Sequence, residues 1–290
     1  MQNQLQDLAR RLLAEKKVDV VIGYGLSGNG RVGAFFATDE GQCDKLVWNE
    51  HCTQNLVVYL TRPEVKKLGR AAIVVKGCDA RALVVLANEG QLQREEVIAI
   101  GMVCAGVVDE GGQRCAKCEI CTSRAPANVD EVIGDPASVP AGPASAEERF
   151  AGGKYVKLEK LRAMPRAERF AWWKKELSRC VRCSACRQVC PLCYCKVCVA
   201  DKNRPVRIET SATPSANFAW NILRAFHLAG RCVGCGACTA ACPAGIDLDL
   251  LNLTLAQTAE TEFGAVSGTV PGALPLIGSF SQEDKEDFIQ

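Results

Sequence analysis

Two stretches of this chain repeat one cysteine pattern. The first is Cys180-x2-Cys183-x2-Cys186-x3-Cys190-Pro191, and the second is Cys232-x2-Cys235-x2-Cys238-x3-Cys242-Pro243. A single Cys-x2-Cys arises easily by chance. Four cysteines at fixed spacing ending in proline, occurring twice, do not. Cysteine thiolates at this spacing are the ligands of iron–sulfur cubes. Three on one tight loop cap three corners of a cube, and the fourth, followed by proline, leaves the loop and ligates the other cube. The expected sets are Cys180, Cys183, Cys186 and Cys242 for one 4Fe–4S cluster, and Cys232, Cys235, Cys238 and Cys190 for a second. One-electron transfer is the chemistry such centres carry.

A third set lies upstream. Cys115-x2-Cys118-x2-Cys121 follows an apolar run ending in Cys104, and Cys78 sits in Lys76-Gly77-Cys78-Asp79, where a strand should meet a helix. A loop with three thiolates, joined by one or two from strand ends, suits a third 4Fe–4S cluster. Zinc, which also accepts four thiolates, is the competing reading. Cys193, Cys195 and Cys198 trail the first run, either as extra ligands or as buried thiols packing like small apolar residues. Cys43 and Cys52 are isolated and read as structural, with Cys52 the nearer of the two to a cofactor.

The elements that must position these thiols follow from the hydrophobic pattern. Leu5, Leu8, Leu12 and Leu13 share a helical face, and Val18–Ile22 reads as a buried strand ended by Gly23. Further strands are expected at Arg31–Thr38, Asn55–Leu60, Ala71–Lys76 and Val97–Cys104. Asp79–Asn88 reads as a helix with Asp79 as its N-cap. Residues 1–134 thus form an α/β unit with a mixed sheet. Residues 135–178 are a Pro/Ala/Ser-rich linker followed by a helical stretch, Leu158–Leu177, broken near Pro165. Residues 179–253 form an α+β dicluster domain with an inserted helix at Asn217–Ala229, stopped by Gly230. Residues 254–290 read as an extended tail, acidic at Glu283, Asp284, Glu286 and Asp287.

Composition narrows the class. With 290 residues and a hydrophobic fraction of 48%, the chain has enough apolar surface for two domains. Its 35 basic and 33 acidic side chains leave +2, too little to argue for nucleic acid or a membrane surface. Eighteen cysteines in a secreted chain would suggest disulfides, but these spacings are metal spacings. Arg10-Arg11 lacks the apolar run of an export signal, and no 18-residue apolar run is present. A cytoplasmic, reducing setting is expected.

Two features look like other sites. Gly23-Tyr24-Gly25-Leu26-Ser27-Gly28 is a literal G-x-G-x-x-G, but the glycines and aromatics after it read as a hairpin rather than a helix N-terminus. The two histidines, His51 and His227, show no Ser/His/Asp ordering for hydrolysis. His227, in an apolar stretch near Cys232, is expected to pack with a hydrogen bond, and Trp172, Trp173 and Trp220 read as core or interface anchors.

The runs resemble those of bacterial dicluster ferredoxins. The upstream stretch is similar to the beta-subunit family of deazaflavin-coenzyme hydrogenases and dehydrogenases. The residues carrying that likeness are Lys76-Gly77-Cys78-Asp79, Ile100–Cys104 and Cys118-x2-Cys121, with Asp130 and Gly134 behind. The resemblance implies a cluster on Cys78, Cys104, Cys118 and Cys121, with Cys115 in reserve or displacing Cys78. In that family a flavin lies beside the cluster. Here the glycine pair that opens the family's first helix is missing, so FAD is left without a visible cradle. The expected function is an electron-transfer subunit of an anaerobic oxidoreductase, partnered by other redox subunits. The rivals are a flavin-bearing subunit acting on NAD(P)H or a deazaflavin, and a zinc-binding interaction module.

Overall fold

The computed structural model of the protein describes residues 1–280 and 282, so the acidic cluster at 283–287 lies outside the described residues. Six strands form one mixed sheet: β1 (Val20–Leu26), β2 (Val32–Ala37), β3 (Leu46–Val47), β4 (Ala71–Val75), β5 (Val97–Met102) and β6 (Glu131–Ile133). The order is β2-β1-β4-β5-β6, with β3 also on β1. Strands β1, β4, β5 and β6 run parallel, whereas β2 and β3 are antiparallel to β1. The apolar runs of β1 and β4 are buried almost throughout, as parallel strands covered on both faces must be.

Ten α-helices accompany the sheet among the described residues. They are α1 (Gln2–Ala14), α2 (Pro63–Lys66), α3 (Gly77–Asn88), α4 (Ala146–Phe150), α5 (Gly153–Ala163), α6 (Arg166–Ser178), α7 (Ala185–Gln188), α8 (Pro214–His227), α9 (Ala237–Ala240) and α10 (Asp249–Phe263). Helix α1 buries Leu5, Leu8 and Leu12 against the sheet. Leu192 and Leu228, which flank the cysteine runs, and Val233, inside the second run, belong to the same core as the sheet residues. The cysteine runs are therefore seated on the α/β unit. Tyr194 donates to Glu89 (2.6 Å), and Arg231 pairs with the same carboxylate (2.9 Å).

Several expectations change. Strand β1 does not stop at Gly23 but runs on to Leu26, where the chain turns through Ser27–Arg31 into β2. The G-x-G-x-x-G segment is thus the hairpin, and no helix follows it. Asn55–Leu60 is not a strand. Leu56–Thr61 is a 3-10 helix whose N-terminus is capped by the Asn55 side chain accepting from the Val57 amide (3.2 Å). This run has no alternation, and a tight helix buries Leu56, Val57, Val58 and Leu60 together. Asp79 is not the N-cap of α3. It stands at the third helical position, and Lys76 is the cap.

The cysteine-run part is helical rather than α+β, and its one β feature among the described residues is the bridge between Asn203 and Val206. The expected tail begins ten residues too early, because 254–263 complete α10, which ends at Gly264 in a left-handed cap (φ 61°). The following stretch lies on α3: Arg81 donates to the Ser267 carbonyl (2.8 Å) and Asn88 to that of Val270 (3.0 Å). The Pro/Ala/Ser-rich linker is also seated. A Cβ on Gly142 would stand 2.1 Å from the Cys121 carbonyl oxygen.

Candidate metal centres

The two cysteine runs fold alike, residue by residue. In each, a one-turn helix (α7 or α9) begins just before the third cysteine and ends before the fourth. In each, the second residue after the first cysteine and the first after the second cysteine adopt left-handed φ. These are Arg182 (54°) and Ser184 (60°) in one loop, and Gly234 (67°) and Gly236 (68°) in the other. That backbone turns amides toward sulfur. The Arg182 N–H donates to Cys180 Sγ (3.4 Å), and the Gly234 amide does the same for Cys232. Such N–H···S bonds raise the potential of a cluster held there.

Thiols of the two runs lie close enough to influence one another. The Cys186 thiol feels both Cys180 and Cys242, and the Cys190 thiol feels Cys235 from the opposite run. Burial pushes the Cys186 thiol up to about 11 and that of Cys232 up to about 12, and raises Cys238 as well. These three thiols, when free, hold their protons, so binding a thiolate-ligated group must release them. Arg224, on α8, is buried beside Cys186, Cys190, Cys193 and Cys238. One end of its guanidinium donates to the Cys186 carbonyl (3.0 Å), while its Nε has no partner. An orphaned buried donor among thiols fits a cluster sulfide or thiolate acceptor.

The upstream thiols are gathered by the carboxyl ends of two parallel strands. Strand β4 leads into Lys76-Gly77-Cys78, and β5 leads to Cys104. The 3-10 turn Ala116–Cys118 and the loop to Arg124 close the other side. Cys78, Cys104, Cys118 and Cys121 line one cavity of about 90 Å³, and Cys232 of the second run lines it too. Cys115, the reserve ligand, is not on this wall. Cys118 is buried and accepts from the Val107 amide (3.3 Å), and Gly106 donates to Cys104. Burial holds the Cys78 thiol well above its ordinary value, Asp79 adding to the effect.

Buried and half-buried cations line this cavity. Lys76 pairs with Asp79 (2.7 Å), both side chains being essentially inaccessible, and also donates to Tyr24 Oη and the Gln54 carbonyl (2.8 Å). Lys117 donates to the Thr53 carbonyl (3.0 Å), and Arg124 Nε is buried without a partner. A cube with four thiolates is a net anion, so this wall suits it. Gly77 is required by close approach, since a Cβ there would lie 1.6 Å from the Ser123 carbonyl oxygen. Among the described residues no three His, Cys, Asp or Glu side chains gather tightly enough for a single metal ion.

The remaining residues separate. Cys193 lies against Cys190 and Arg224, Cys198 packs with the Cys186 side, and Cys195 is exposed. The three do not form a site of their own, and Cys195 is not a buried thiol. Cys43 and Cys52 are buried in the sheet core. His227 is exposed at the end of α8 rather than packed. Trp220 is buried and donates to Asp201 (2.7 Å). Arg224 is the residue that sequence reasoning missed. Its one signal was an arginine on the apolar face of a helix, eight residues before Cys232.

Residues 176–246 match the family model described as a 4Fe-4S dicluster domain. The chain is 32% identical over 105 residues to the F420-dependent formate dehydrogenase subunit beta of Methanocaldococcus jannaschii, covering 36% of this chain and 27% of that protein. It is 28% identical over 57 residues to the F420-dependent formate dehydrogenase 1 subunit beta of Methanococcus maripaludis, covering 20% and 14%. The chain thus spans under a third of the length of these curated relatives. It joins an N-terminal region like those beta subunits to a 4Fe–4S dicluster domain. No helix among the described residues is long and apolar enough to cross a membrane.

Proposed function

We propose that this chain is an electron-transfer subunit of a multisubunit oxidoreductase. It would hold one 4Fe–4S cluster on Cys180, Cys183, Cys186 and Cys242 and a second on Cys232, Cys235, Cys238 and Cys190. A third would sit on Cys78, Cys104, Cys118 and Cys121. Such clusters supply one-electron transfer without bond making. The chain's own residues hold the thiolates, keep water out and aim amides and cations at the sulfurs, and these tune the potential.

The observation that carries this reading is the shared cavity. Cys232, from the second run, stands on the same wall as the four upstream thiols. Contiguity of that kind would put the upstream centre next to the second cluster. Spacing of the thiols around a cavity, rather than about one point, favours a cube over zinc. The likeness to beta subunits of formate dehydrogenases supports the role of a partnered redox subunit.

The test is iron, acid-labile sulfide and electron paramagnetic resonance on anaerobically purified full-length protein. Cys118→Ser should lose about a third of the iron and leave the signals of the other two centres. Cys235→Ser should damage the dicluster part. Unchanged iron in Cys118→Ser would refute the third centre. Acid-released flavin is measured on the same sample, and stoichiometric flavin would move two-electron chemistry onto this chain.

A further inference from the structure

Of the eighteen cysteines, two are exposed: Cys183 and Cys195. Cys183 belongs to the first ligand set, whereas the upstream and second-run thiols are all buried or half-buried. The first centre is therefore the one that reaches the surface. Electron transfer between proteins takes place where a centre comes nearest to solvent.

The segment fastened to the first loop has a definite character. The segment 196–207 carries Lys196, Lys202, Arg204 and Arg207, all exposed, and none has an acidic partner among the described residues. Its one acid, Asp201, is engaged by Arg187 (2.8 Å) and by Trp220. The segment is fastened to the first loop. Arg187 donates to the Cys195 carbonyl (3.0 Å), and Cys198 and Ala200 pack with Cys180 and Cys186. Val181, Val197 and Val206 are each at least 60% exposed on the same stretches. The chain as a whole is nearly neutral, at +2, so this local excess is a property of the face. A basic rim with a few apolar side chains is the pattern of a small, steered electron-transfer interface.

We propose that the face formed by the Cys180–Cys186 loop and the 196–207 segment docks an acidic one-electron carrier protein beside Cys183. This rests on the reading that Cys180, Cys183, Cys186 and Cys242 hold a cluster. One electron moves between the carrier's centre and that cluster, one oxidised as the other is reduced, with no bond or proton transferred.

The experiment mixes dithionite-reduced acidic plant-type 2Fe–2S ferredoxin with the anaerobic full-length protein in a stopped-flow instrument. Salt runs from about 0.01 M to about 1 M, over which the screening length falls from about 30 Å to about 3 Å. The expected second-order rate falls steeply with salt. In K196E/K202E/R204E/R207E it drops about tenfold or more at low salt and its salt dependence reverses, the rate rising as screening relieves the repulsion. Oxidised cytochrome c, a basic electron acceptor, should react faster with the pre-reduced variant than with the pre-reduced wild type. Iron, sulfide and the paramagnetic signals should stay as in the wild type; should the quadruple variant lose them, K202E/R204E is read in its place. Unchanged rates with clusters intact would overturn the docking face alone. Absence of the first-run cluster from the wild type would overturn the reading beneath it.

Discussion

Lys76 should be the most costly single residue to remove around the upstream cavity. Its ammonium and the Asp79 carboxylate form a pair 2.7 Å apart, 2% and 0% exposed. Asp79 also accepts from the Lys76 backbone amide (3.1 Å), so the pair starts α3 and sets the backbone of Gly77 and Cys78. Lys76→Met removes the cation and leaves a buried carboxylate unpaired. Breaking one side of a buried pair costs about 3–5 kcal/mol. With a urea slope of about 3 kcal/mol per M, the midpoint falls by about 1–1.7 M. That is a large share of a typical domain's stability of about 5–15 kcal/mol. The assay is the anaerobic urea transition by far-ultraviolet dichroism, with samples matched for cluster content because bound cofactors couple to unfolding. Lys76→Met/Asp79→Leu should recover much of the loss, since no unpaired charge remains, short of about 0.5–2 kcal/mol for the lost cap. A single variant within about 1 kcal/mol of wild type would refute the reasoning, as would a double variant no better than the single.

Three further outcomes follow from the geometry. Gly77→Ala should lose the upstream iron while keeping the two dicluster signals, because its methyl meets the Ser123 carbonyl at 1.6 Å; normal iron content would contradict this. Arg224→Met should move the midpoint potentials of the dicluster centres negative, by about 60 mV for a tenfold change in the reduced-to-oxidised ratio. Arg224→Lys should restore part of that shift, and redox titration followed by paramagnetic resonance reads both. Ser184→Gly should stabilise the first loop by about 1 kcal/mol, because Ser184 holds a left-handed φ of 60° that its counterpart Gly236 adopts without strain. A lowered melting temperature in Ser184→Gly would count against the loop equivalence.

What the sequence determined by itself was local. The cysteine runs encode their own loops: spacing, terminal proline and the glycines at 234 and 236 describe a tight turn that depends on nothing distant. The apolar runs of β1, β4 and β5 and the leucine face of α1 were equally legible, because burial on a sheet or helix has a short period. The glycine-rich hairpin was readable from what followed it. Tertiary structure decided what local pattern leaves free. Leu56–Thr61 coils rather than extends because Asn55 caps it and four consecutive apolar residues must face the core at once. Residues 254–263 stay helical, with Gln257 and Ala259 buried although the stretch has little apolar periodicity. Cys78, Cys104, Cys118 and Cys121 come to one wall with Cys232, and Cys115 is left off it, because strand order and loop packing set that convergence. Arg224 and the basic segment beside Cys183 matter for the same reason: their neighbours lie up to dozens of residues away, joined by packing rather than by spacing.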